Sequence, residues 1–194
     1  MKFKLLKENS QTLYHGYHGS KQAFKEFNYN FIGSHALEHG FGLYFTDNEN
    51  IAQSYGNYII EADLLIRKPF SDDKITITKE QVKEYIKKYI DSTGDNYLSL
   101  YPYNANDIGY ELALDLVMND LFSYNQSDND IISEILPYIK NKWSDEAYDA
   151  IFEIFRKDGI IYQGYSEWDS QSLTNYIVYS NKQILNKKYK ELGK

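Results

Sequence analysis

The chain has 194 residues, of which 42% are hydrophobic, with 20 tyrosines, 10 phenylalanines, no cysteine and a formal net charge of −7. That length suits one domain with a buried core, and the missing thiols exclude disulfides, a cysteine nucleophile and a thiolate metal site. The acidic balance argues against a nucleic-acid backbone as default partner, because such binding rests on basic clusters.

The stretch Met1 to Lys7 has no apolar run of signal-peptide length, and nothing in the chain approaches transmembrane length. The expectation is a soluble protein made in the cytoplasm, with no membrane partner. Thr12 to Tyr17 is β-branched, aromatic and alternating, which predicts a strand that breaks at Gly19, with His18, Gly19 and Ser20 at its end. A glycine there lets a ligand come close to the backbone, whose N–H and C=O could pair with a flat amide. Phe41 to Thr46 predicts a second strand, with Gly40 and Gly42 marking a bend. Asp47 or Asn48 then caps a short helix with Ile51, Ala52 and Tyr55 on one face, stopped by Gly56. If Tyr55 lies beside Gly19, its ring is a stacking platform.

Tyr58 to Ile66 predicts a third strand, ended by Lys68-Pro69-Phe70. From about Ile75 to Arg156 the pattern turns helical. Thr78 and Gln81 make a capping box, and Asp107 precedes a helix with Ile108, Leu112 and Leu116 on one face and Val117 and Leu121 beside it. Asp130 precedes a helix ended by Pro137, and Ser144 caps another over Ala147 to Lys157. These acidic, tyrosine-rich helices fit a packed lobe with a solvated face, or a lobe that recognises a partner. Gly159 to Gln163 and Tyr176 to Ser180 predict two closing strands, joined by a polar loop carrying Glu167, Asp169 and Gln171.

In this order, Tyr17-His18-Gly19-Ser20, Phe24 and Phe27, Gly42-Leu43-Tyr44-Phe45, Ala52 and Tyr55 resemble the NAD-binding half of the ADP-ribosyltransferase superfamily. The branch is the one shared by poly(ADP-ribose) polymerases, diphtheria toxin and phage or mobile-element transferases. Lys157 to Ile161 and Asn175-Tyr176-Ile177-Val178-Tyr179, followed by Gln183-Ile184, resemble the closing segments of that fold. The resemblance covers roughly residues 12–70 and 155–186. It implies an α+β protein, a split, mostly antiparallel two-sheet core in a single domain over 1–194, with a helical insertion at about 75–156.

The resemblance also implies NAD as co-substrate. Gly19 would pair its backbone with the nicotinamide carboxamide, Tyr44 and Tyr55 would sandwich the ring, His18 would hydrogen-bond a ribose hydroxyl, and Ser20 would lie near the adenosine ribose. His18, Tyr44 and Asn175 form the implied catalytic set. Two positions depart from the pattern. Asn175 stands where polymerases and toxins carry a glutamate that supports the cationic transition state, and Ala52 stands where polymerases commonly carry a serine. A neutral amide can accept the ribose hydroxyl's hydrogen bond but brings no negative charge. Three readings follow: Asn175 suffices for mono-ADP-ribosylation of a good nucleophile, Glu167 or Asp169 swings in from the loop, or NAD binds without efficient turnover. The implied function is mono-ADP-ribosylation of a macromolecular acceptor, protein in preference to nucleic acid, by a bacterial or phage effector that could be delivered into a host cell. The alternatives are a NAD glycohydrolase and a non-catalytic NAD-binding module.

Two further histidine patterns compete. Tyr14-His15-Gly16 nearly repeats the motif, and in a strand His15 and His18 face opposite sides, so only one can enter a site. His35-Ala36-Leu37-Glu38-His39 matches an inverted zinc-peptidase pattern. The six residues between Gly33 and Gly40 are too few for a stable helix, and no distal ligand is evident, so no metal is expected.

Overall fold

A computed structural model describes residues 13–32, 41–90, 105–138, 144–165 and 172–193. The strands are β1 (Leu13–Ser20), β2 (Leu43–Thr46), β3 (Tyr58–Leu65), β4 (Ile160–Tyr165), β5 (Ser172–Val178) and β6 (Ile184–Glu191). The helices are α1 (Glu49–Ser54) between β2 and β3, and then α2 (Lys79–Tyr85), α3 (Ala105–Ile108), α4 (Tyr110–Tyr124), α5 (Asp128–Ile135) and α6 (Asp145–Phe155), all between β3 and β4. The protein is therefore α+β, as expected.

All pairings between the strands are antiparallel, in one sheet of order β4-β5-β2-β1-β3-β6. Two sheets were expected, and the single sheet has a physical seam where they would divide. β1 runs against β3 over its whole length, Leu13 opposite Leu65 through Ser20 opposite Tyr58, whereas β1 meets β2 only at Tyr17 opposite Thr46. The seam leaves the last three residues of β1 without a ladder partner on the β2 side.

Several local expectations needed correction. β1 does not break at Gly19 but continues to Ser20, because β3 carries the ladder past the glycine. Of the two candidate caps for α1, Asn48 is the one that forms, accepting from the Asn50 and Ile51 N–H groups as that expectation allowed. In α4 the buried stripe is Ala113, Leu114, Val117, Met118 and Leu121, while Ile108 and Leu112 are exposed. Gly109, at φ 87°, breaks the helix between α3 and α4 and resets the phase of the apolar face. Ser127, not Asp130, caps α5, and Asp130 is the reciprocal partner of that capping box. β4 and β5 reach further than expected, to Tyr165 and back from Ser172, and β6 was not foreseen as a strand. The capping box of Thr78 and Gln81 and the Ser144 cap form as expected.

Two buried aspartates tie the helices to the sheet. Asp158, after α6, accepts from the Arg67 and Lys68 backbone N–H groups and from Arg67 Nε, so it clamps the exit of the helical segment onto its entrance. Asp128, at the start of α5, accepts from the Ser71, Thr76 and Ile77 N–H groups and from the Thr76 hydroxyl. Both carboxylates are fully buried, where only several hydrogen bonds make an acceptor tolerable. One continuous apolar core runs from Leu64, Phe45 and Tyr176 on the strands to Val117, Ile132 and Ile151 on the helices.

Candidate active site

Gly19 sits at the seam, and α1 packs over it. A Cβ at Gly19 would overlap the Ala52 carbonyl oxygen and lie 3.2 Å from the Tyr55 Cβ, so only glycine lets α1 come this close. Tyr55, the C-cap of α1, is 65% exposed, and its Cβ lies beside Gly19. An open strand edge next to an exposed aromatic ring is suited to holding a flat amide by backbone pairing while the ring stacks on it.

His18 is fixed one residue earlier. Its Nδ1 lies 2.8 Å from the Tyr44 carbonyl oxygen, which can only accept, so Nδ1 carries the hydrogen. The imidazole is boxed by Phe24, Phe27 and Phe45, with ring centroids at 5.9, 4.8 and 5.6 Å. Burial lowers the His18 pKa below the usual histidine value, partly offset by the Tyr44 carbonyl. The ring is thus held neutral, and Nε2, with no partner among the described residues, presents a lone pair that can accept from a hydroxyl.

His15 faces the other side of the strand, 3.2 Å from an Asp63 oxygen and 3.6 Å from Glu61, and is exposed. The two histidines point to opposite faces, and His18 is the one whose ring meets the Tyr44 backbone.

Tyr44 and Asn175 are brought near one another by the β2–β5 ladder, in which Tyr44 lies opposite Ile177 and Thr46 opposite Asn175. On its other side Asn175 pairs with Tyr162 of β4. The Asn175 side chain is half-buried, makes no hydrogen bond with the described residues, and its Nδ2 lies 2.6 Å from where a Cβ of Gly164 would be. Asn175 is thus an uncommitted amide, seated against a glycine. Ser20 is committed locally: its hydroxyl accepts from the Gln22 N–H and donates to the Gln22 carbonyl. Glu167 and Asp169, and the His35 to His39 pattern, lie outside the described residues. No group of three or more potential metal ligands occurs among the described residues, and none of their helices is long and apolar enough to cross a membrane.

Sequence reasoning missed Phe45 as a wall of the histidine box and Gly164 as the neighbour of Asn175. Phe45 could have been found from its place after Tyr44 on a strand that crosses β1. Gly164 lies diagonally across a ladder whose register could not be read before the loop length was known.

A family model described as ADP-ribosyltransferase in polyvalent proteins matches residues 12–190. No curated protein and no solved structure matches the chain.

Proposed function

The chain belongs to the ADP-ribosyltransferase family of polyvalent proteins, and on that premise we propose that it breaks the bond between nicotinamide and ribose in NAD and transfers one ADP-ribose to a macromolecular acceptor. A protein acceptor is preferred, and the setting is a bacterial or phage effector. The observation that carries this reading is the seam itself: an uncovered end of β1, with Gly19 pressed under α1 and Tyr55 exposed beside it.

In this reading the carboxamide pairs with the Gly19 backbone, and the nicotinamide ring lies between Tyr55 and Tyr44. His18 Nε2 accepts a hydrogen bond from a ribose hydroxyl, and the Asn175 amide oxygen accepts another. As the glycosidic bond lengthens, electrons leave with nicotinamide and positive charge grows on the ribose. Fixing the two ends of the substrate lowers the barrier by orientation, and oriented acceptors stabilise the charge. The acceptor nucleophile then bonds to the same ribose carbon and gives up its proton. Because Asn175 is neutral, the charge stabilisation is weaker than a carboxylate would provide, which suits a single transfer to a good nucleophile. The helices between β3 and β4 are read as an insertion in one domain, available to contact the acceptor.

The test is incubation with NAD labelled on the adenine side and a bacterial lysate, following nicotinamide release and label on macromolecules, with His18→Ala beside it. Label on a discrete protein, lost in His18→Ala, supports the transferase. Nicotinamide release without label supports a glycohydrolase, and NAD binding without release supports the binding module, a reading favoured by the uncharged Asn175. Absence of binding refutes all three.

A further inference from the structure

Asn181 lies just past β5, in the single helical turn Asn181–Gln183 that Ser180 caps. Its side chain grips the backbone of Phe27, 154 residues away, at both polar groups. Oδ1 accepts from the Phe27 N–H at 3.1 Å, and Nδ2 donates to the Phe27 carbonyl at 2.9 Å. A loop residue held by one hydrogen bond can still pivot, whereas one held at donor and acceptor together is fixed in place and direction. The Asn181 backbone adds a second tie, donating at 2.9 Å to the Tyr29 hydroxyl, which donates at 2.8 Å to an Asp145 oxygen in the first turn of α6. The segment that carries Phe27 is therefore fastened both to the end of β5 and to the helices.

Phe27 is 9% exposed, and its ring stands edge-on to His18 at 4.8 Å, the nearest of the three rings around the imidazole. It also packs against Phe24 at 4.8 Å and Phe45 at 5.6 Å. The Tyr44 carbonyl holds one atom of the imidazole, Nδ1, and leaves the ring free to swing about that hydrogen bond. The three phenyl rings limit that swing, and Phe27 is the nearest of them.

We propose that Asn181 is a positioning residue for His18, acting through Phe27: the two-point grip on the Phe27 backbone seats the phenyl ring that aims His18 Nε2. The proposal rests on the reading of His18 as the ribose-binding group, and it gives Asn181 a role that depends on His18 and on nothing else in the site.

The experiment compares Asn181→Ala, His18→Ala and the double variant for kcat and KM of nicotinamide release from NAD, and records the side-chain nitrogen and carbon resonances of His18 in the folded proteins. Asn181→Ala is expected to lower kcat about tenfold, with KM for NAD changed far less, since misplacing a group by about 1 Å can cost up to about a hundredfold. In the His18→Ala background the same substitution is expected to cost nothing further, the non-additivity of two residues acting as one unit. The His18 ring resonances are expected to shift while those of His15 stay in place. If Asn181→Ala folds but leaves the His18 resonances unmoved, or costs as much without His18 as with it, the proposal is overturned. Should Asn181→Ala not fold, Asn181→Asp keeps the acceptor for the Phe27 N–H, loses the donor, and carries the same comparisons. If the wild-type protein releases no nicotinamide, the functional reading fails, and the His18 resonances alone then decide whether Asn181 positions the ring.

Discussion

Asn175→Glu asks whether charge is what limits this site. The Asn175 side chain is half-buried and in register with Thr46 and Tyr162, so a carboxylate placed there displaces no side-chain hydrogen bond among the described residues. A carboxylate that reaches the ribose hydroxyl lies about 5 Å from the developing cation, and at an effective dielectric of about 20 the attraction is about 3 kcal/mol. Half-exposure roughly halves this to about 1.5 kcal/mol, or about a tenfold gain in rate. The assay is the initial rate of nicotinamide release at saturating NAD for wild type, Asn175→Glu and Asn175→Gln, with NAD affinity measured separately. The expected result is a rise of about tenfold for glutamate and none for glutamine. If glutamate and glutamine give the same rate while NAD still binds, charge is not the limiting term, and the assignment of Asn175 to the ribose is refuted.

Gly19→Ala must push α1 off β1, because its methyl would overlap the Ala52 carbonyl oxygen. It is expected to cost about 1–3 kcal/mol in urea unfolding and to abolish NAD binding in calorimetry even where the protein stays folded. His18 supplies a pH dependence. Its pKa is lowered by burial, so the unfolded chain binds this proton first as pH falls, and stability drops as pH goes below the ordinary histidine value of about 6.5. Urea melts from neutral to mildly acid pH are expected to show that loss in wild type and a smaller one in His18→Gln, and equal losses would place the imidazole outside the aromatic box. Asp158→Ala strands the Arg67 and Lys68 N–H groups beneath the helices. A loss of about 3 kcal/mol is expected by urea unfolding, and a loss under about 1 kcal/mol would mean that water reaches those groups.

The parts of the site nearest in sequence were the most legible. His18, Gly19, Tyr44 and Tyr55 sit on short elements whose signals are local: alternation in a strand, a cap at Asn48, a glycine that ends a helix. Their order along the chain was enough to suggest NAD, and the structure brings Gly19 to Tyr55 and His18 to Tyr44. What stayed hidden was decided by distant partners. Ile184 to Glu191 reads as a polar, lysine-rich tail, and becomes a strand because β3 offers it an edge on which Lys188 and Lys190 meet Glu61. The apolar face of α4 was misassigned because one turn of sequence before Gly109 was counted with the helix after it. Asn181 looks like any turn residue until Phe27 is placed beside it.

That last distance has a consequence for how the protein is made. The seam and the residues around His18 draw on partners at very different separations along the chain. β1 and β3 pair within 52 residues, Leu13 with Leu65, while the Phe27 grip spans 154. Contacts of such separation form late, because the intervening chain must be ordered before they repay its entropy. On a ribosome, His18 is synthesised well before Asn181, and under the proposed grip it is aimed only after Asn181 has emerged and docked. On the proposed reading, a nascent chain short of Asn181 carries the aromatic box around His18 and still handles NAD poorly, so that the reactive state waits for the segment that follows β5.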